Sequence, residues 1–127
     1  MTSRSRSVTG ANLKETLGEG IVLLDFWAAW CGPCRAFAPV FDAAAARHPD
    51  VVFGKVDTEA EPELAAAFEI RAIPTLGVFR DGFLLGMLPG AMPGPGLDEL
   101  IGRVKALDMG ALRRQAVTAE GAAAEGG

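Results

Sequence analysis

Cysteine is scarce in this chain of 127 residues: there are two, at positions 31 and 34. A secreted mini-domain stapled by disulfides needs several bridges between distant loops, so that class is excluded. Histidine is scarcer still, with His48 alone. A structural zinc takes a full tetrahedral shell of Cys and His, which two cysteines and one histidine cannot complete; only two chains sharing their pairs, or a cluster bridging them, could. No apolar run reaches the length of a membrane span. Basic residues are outnumbered, 12 Lys and Arg against 16 Asp and Glu, for a formal charge of −4. There is no basic stripe or interleaved aromatic platform either, which argues against nucleic acid and for a protein partner. Arg4 and Arg6 are followed by no apolar segment, so the start does not read as a secretory signal. A cytoplasmic location is expected. No internal repeat is present.

Half of the residues are hydrophobic, and the length suits one domain with a real core but no second one. Residues 1–7 are polar and rich in Ser and Arg, and are expected to be a mobile tail. Leu13 and Leu17 share a helical face, with Asn12 placed as its N-cap. Ile21 to Trp27 shows no polar alternation, as in a central strand covered on both faces, although Asp25 interrupts it. Phe37, Val40, Phe41 and Ala44 then recur at helical spacing from Pro33 to about His48, despite Pro39 inside the run.

Val51 to Asp57 reads as a strand, and Glu61-Pro62-Glu63 opens a helix carrying Leu64, Ala67 and Phe68. Asp81-Gly82 between Leu76–Arg80 and Phe83–Leu88 is a strong hairpin signal. Leu97, Leu100, Ile101, Val104 and Leu107 mark a last amphipathic helix. Residues 108–127 are expected to be an extension without a sustained apolar face, with at most a frayed helical piece around Ala111 to Val117. Strands alternating with helices before a closing hairpin predict an α/β domain over 8–107, a central mixed sheet with helices on both faces.

The chemistry converges on Cys31-Gly32-Pro33-Cys34, where a strand-like run gives way to a helix-like one. If Cys34 begins a helix, the first turn brings both sulfurs to one side and a disulfide fits. Unpaired backbone N–H groups at the helix start stabilise a thiolate, the species that attacks disulfides. Pro33 suits a first helical turn because its φ is preset and its missing N–H is no loss there. Asp25, inside a buried run, is expected to have its pKa raised by desolvation into a range where it can exchange protons. His48, at a helix end, reads as a dipole partner rather than a catalyst, and Met87 and Met92 as packing or groove lining.

The run Asp25-Phe26-Trp27-Ala28-Ala29-Trp30-Cys31-Gly32-Pro33-Cys34-Arg35, followed by Lys55-Val56-Asp57, Arg71-Ala72-Ile73-Pro74-Thr75 and Gly90-Ala91, resembles the thioredoxin family. The resemblance implies the thioredoxin fold and a reductase of protein disulfides. Cys31 would be the exposed nucleophile and Cys34 the buried resolving thiol. Asp25 would lie beneath the disulfide and take the proton of Cys34, with Lys55 as its partner. Pro74 would be cis, against the general rarity of that isomer, and Ile73 and Pro74 would form one wall of the substrate groove. Trp30, Gly32 and Pro33 would form a second wall, and Gly90 with Ala91 a third.

By the same resemblance the chain would bind no cofactor or metal and act as a monomer. Its electrons would come from NADPH through a flavin-containing thioredoxin reductase, and its partners would be that reductase and disulfide-containing client proteins, with no nucleic acid or membrane. The alternatives are an oxidase or isomerase relative, which Gly32-Pro33 argues against, and an adaptor in which the cysteines persist without turnover. The chain departs from the family pattern in having no tyrosine, with Phe68 at a place often aromatic, and in Pro89 and Pro93-Gly94-Pro95-Gly96 around the third wall.

Overall fold

A computed structural model describes residues 5–115. In chain order the elements are β1 (Arg6–Ser7), α1 (Leu13–Leu17), β2 (Ile21–Trp27), α2 (Gly32–Arg47), β3 (Val52–Asp57), α3 (Pro62–Ala67), β4 (Thr75–Arg80), β5 (Phe83–Pro89) and α4 (Gly94–Lys105). The strands form one sheet in the order β1-β3-β2-β4-β5. β1 and β2 each run parallel to β3, whereas β4 is antiparallel to both β2 and β5.

β2 therefore has a neighbour on each side, and its alternate residues enter two separate cores. Leu23 packs with Phe37 and Phe41 of α2, Phe53, Leu76, and Leu97 and Ile101 of α4. Val22, Leu24 and Phe26 face the other way, with Val8, Val56 and Phe79, and are covered by Leu13, Leu17, Leu64 and Phe68. This is why the run lacks polar alternation: both faces are dry. Asp25 shares the parity of Leu23, so it points to the side that α2 covers, and it pairs in register with Lys55 on β3 and Leu76 on β4. Gly54 allows β3 to lie close under β1, since a Cβ there would come within 2.6 Å of Val8 Cγ2 and 2.8 Å of Leu24 Cδ2. The hairpin turns on Asp81 (φ 53°) and Gly82 (φ 85°), two left-handed residues as a tight turn of matching twist requires.

Two expectations change and a third holds in part. Arg6 and Ser7, read as tail from their polarity, pair with Gly54 and Lys55 as β1, and Ser5 Oγ donates to Asp42 Oδ1 at 2.8 Å. The reason is that ladder pairing engages backbone groups and is indifferent to polar side chains. Asn12 stands at the N-cap position of α1, as expected, but its side chain makes no cap bond to the helix; its Oδ1 accepts from Thr9 N–H and its amide donates to the carbonyl of Ser7. Finally, residues 109–115 are helical. Met109 is buried, Asp108 Oδ1 caps the N–H of Ala111 at 3.0 Å, and Arg113 reaches Asp81 at 3.2 Å. The burial of Met109, the Asp108 cap and the Arg113–Asp81 pair help to hold this piece, and none of them registers as an apolar periodicity. Residues 1–4 and 116–127, including Val117, lie outside the described residues.

Candidate active site

β2 ends at Trp27, and four residues later Cys31 caps α2. Its backbone is extended (φ −87°, ψ 111°) and its Sγ accepts the N–H of Cys34 at 3.2 Å. The cap places this sulfur where the unpaired N–H groups and positive end of a 16-residue helix concentrate, and proline occupies the first turn. Cys31 and Cys34 are joined as a disulfide with their Cα atoms 5.2 Å apart. Ala28, Trp27 and Ile73 pack around it.

The peptide Ile73-Pro74 is cis. Cys31 Sγ lies 3.7 Å from the carbonyl oxygen of Ile73. The loop is braced by Thr75 Oγ1, which donates to the carbonyl of Ala72 at 2.5 Å, and by Gly90 N–H, which donates to that of Pro74 at 2.8 Å. Gly90 has φ 94°, a left-handed backbone that suits glycine. These contacts bring segments 31–34, 73–74 and 90 together, from widely spaced parts of the chain.

Asp25 is fully buried, and neither carboxylate oxygen has a hydrogen-bond partner. Its nearest opposite charge is Lys55 Nζ, 4.0 Å from Oδ2. Burial raises the Asp25 pKa from 3.8 to about 6, partly offset by Lys55 and reinforced by Asp42. Lys55 also lies over the Trp27 ring, 5.1 Å from its centroid.

The sequence model of the thioredoxin family matches residues 4–103. This chain belongs to the thioredoxin family. A protein of Streptomyces coelicolor bearing the name thioredoxin 2 is 49% identical over 108 residues, 84% of this chain and 81% of that one. Thioredoxin 1 of Synechococcus elongatus is 45% identical over 94 residues, 72% of this chain and 88% of its own. Among solved structures, a mutant thioredoxin from Halobacterium salinarum superposes with a TM-score of 0.76 at 31% identity, covering 85% of this chain and 98% of that one. The five-stranded mixed sheet with helices is the thioredoxin fold, and the chain is a dithiol-disulfide oxidoreductase acting by thiol-disulfide exchange.

Within this thioredoxin site, Trp30 is 67% exposed, and Gly32, Pro33, Gly90 and Ala91 are exposed as well. Ile73 is half-buried and the Pro74 ring is buried. Cys31, expected to be exposed, is only 4% accessible against 2% for Cys34; in the disulfide each sulfur shields the other, and Ile73 closes over the pair. Arg35, the last residue of the motif run, donates to the carbonyl of Ala29 at 2.8 Å. One contributor carries no motif signal: Glu59 Oε1 accepts the indole N–H of Trp30 at 2.7 Å. No spacing rule links residues 30 and 59, so that pair is visible only after folding.

His48 caps the far end of α2, with Nε2 2.7 Å from Asp98 Oδ1, remote in sequence from the disulfide. Its neighbours there are Arg47 and Asp98. Met87 and Met92 pack against the two cores. Among the described residues, no group of three or more His, Cys, Asp or Glu could hold a metal ion, and no helix is long and apolar enough to cross a membrane.

Proposed function

We propose that this chain reduces disulfides of client proteins, with Cys31 as nucleophile and Cys34 as resolving thiol. The observation that supports this order most directly is the cap. The sulfur of Cys31 accepts an N–H at the start of α2, so the thiolate released on reduction is stabilised there, whereas Cys34 is already inside the helix.

The Cys31 thiolate attacks one sulfur of the client disulfide, the client S–S bond breaks, and the other client sulfur leaves as a thiolate. The Cys34 thiol passes its proton to Asp25, and the resulting thiolate attacks Cys31 Sγ. The mixed disulfide breaks, the Cys31–Cys34 bond forms, and the second client thiolate departs. Two electrons move from the dithiol to the client. A carboxylate in a dry site with a pKa near 6 can accept a thiol proton and return it. Lys55, at 4.0 Å, limits how far burial raises that pKa.

The exposed surface of Trp30, Gly32 and Pro33, the Ile73-Pro74 loop and Gly90-Ala91 forms the client groove in this reading. The backbone of Ile73 pairs with an extended client segment. The cycle is closed by a thioredoxin reductase drawing on NADPH, the chain acts as a monomer without a bound cofactor, and it works in the cytoplasm.

Insulin reduction with NADPH and a thioredoxin reductase tests this reading. Wild type turns over and Cys34→Ser does not. Turnover by neither protein would favour an adaptor whose cysteines are not used.

A further inference from the structure

The walls of the client groove do not end at the cis-proline loop. On the side away from α2 the loop borders a cavity of about 250 Å³. Phe68, Ile70 and Met87, all half-buried, form its apolar interior, and the exposed Ala72 and Pro89 line it where the chain enters the cis-proline loop and the Gly90 segment. That lining is continuous with the groove. Ala72 precedes Ile73, Pro89 precedes Gly90, and Thr75 Oγ1 and Gly90 N–H hold the two segments to the same loop.

The volume is below the roughly 300–1,000 Å³ of small-molecule sites, and suits one side chain. Glu69 and Arg71 stand exposed at the rim, and neither has an ion pair among the described residues. With one charge of each sign at the mouth, the rim does not select for charge. The interior selects for apolar surface.

We propose that this cavity is a specificity subsite, which takes one large apolar side chain of the client segment paired with Ile73. The proposal rests on the reading of Ile73 as a client-pairing residue. It makes residues 68–72 and Met87 part of client choice, although they touch neither cysteine. Because side chains of an extended segment alternate in direction, one position near the client cysteine points into the cavity and its neighbours do not.

The test is a set of peptide disulfides in which Ala, Leu, Phe or Asp is placed in turn at each of the three positions on either side of the cysteine. With wild type, kcat/KM at one position rises about tenfold from Ala to Phe or Leu and falls for Asp, as expected for burial of a large apolar side chain. The methyl resonances of Met87 and Ile70 shift with the Phe peptide and not with the Ala peptide. Ala72→Trp narrows an exposed edge, and its Phe-to-Ala ratio falls to within about twofold of unity while its melting temperature reports the fold. Equal rates across the series, or unmoved methyls, overturn the subsite while leaving the reductase intact. Failure to reduce insulin and every peptide overturns the reductase reading, and the subsite with it.

Discussion

At the Arg80 end of the sheet, polar groups are systematically partnered; at the Trp27 end, some are left open. Arg80 Nη1 donates to the carbonyls of Val104 and Lys105 at 2.7 and 3.2 Å at the end of α4, where the Val104 carbonyl also accepts the N–H of Leu107 at 3.3 Å. Asp81 N–H donates to Gly20, and Arg113 binds the Asp81 carboxylate. The hairpin turn adopts the left-handed pair that its twist demands. At the other end of β2, Asp25 is buried with both oxygens unbonded. Each end holds one non-glycine residue at φ 53°, Asp81 in the hairpin turn and Glu69 after α3, but the left-handed region favours aspartate's short polar side chain and not glutamate's. The difference separates two purposes. Groups left uncompensated cost stability, and they cluster where protons and sulfur must move.

The largest effect tests the open end directly. Cys34→Ser should lose disulfide turnover to background and accumulate covalent client complexes through Cys31, read by non-reducing gels, whereas Cys31→Ser should trap none. Equal trapping by Cys31→Ser would reverse the assigned order of the two thiols.

Asp25→Asn comes next. The raised pKa means that the folded protein binds a proton more tightly than the unfolded chain. The stability penalty is absent below pH 3.8, grows as pH rises toward about 6, and is complete above it. At its limit that penalty is on the order of 2–3 kcal/mol, less whatever the unbonded amide costs, about 1–3 kcal/mol by itself. Denaturant unfolding of both proteins from pH 4 to 8 should show the variant gaining on wild type across that window. Single-turnover client reduction should slow about a hundredfold, the lower range for positioned proton transfer. Parallel stability curves together with an unchanged rate profile would refute the buried proton acceptor.

How much of this was legible in the sequence follows the same division. The disulfide end carries contiguous signals: an apolar strand interrupted only by Asp25, a Cys-x-x-Cys at a strand-to-helix junction and a helix-starting proline. Even the burial of Asp25 could be read from its neighbours. Asp81-Gly82 likewise announced its turn, because the backbone there limits which residues fit. Long-range polar contacts were not legible. Glu59 with Trp30 and Arg80 with the end of α4 depend on residues 29 and 24 positions apart meeting in space. β1 was missed because its side chains are polar and only its backbone pairs.

The partnered end predicts the opposite pattern, stability without activity. Truncation after Asp108 removes buried Met109 and the Arg113–Asp81 pair. It should cost about 1–2 kcal/mol, mostly from the methionine, since exposed ion pairs contribute little. Arg80→Met should cost a similar amount through the lost hydrogen bonds to the carbonyls of Val104 and Lys105 and the lost cation at the helix C-terminus. Insulin reduction by both proteins should match wild type. A loss of activity at unchanged melting temperature would show that this end communicates with the disulfide.

Glu69 supplies the smallest effect and the finest test of the comparison. It follows Phe68, the C-cap of α3: its N–H reaches the carbonyl of Ala66, and the next N–H, of Ile70, reaches that of Ala65. That pattern closes a helix through one left-handed residue, the position where glycine is favoured because a Cβ is strained there. A glutamate also places negative charge at the negative end of the helix. Glu69→Gly relieves both, against the greater backbone freedom that glycine loses on folding. The net gain should be about 0.5–1 kcal/mol, a rise of roughly 2–6 °C in melting temperature for a domain of this size. Glu69→Ala separates the two causes, since it removes the charge and keeps the Cβ, and should recover only the smaller part. If Ala stabilises as much as Gly, the cost at this end is electrostatic; if neither does, the left-handed turn is not a site of stored strain and the contrast between the two ends rests on Asp25 alone.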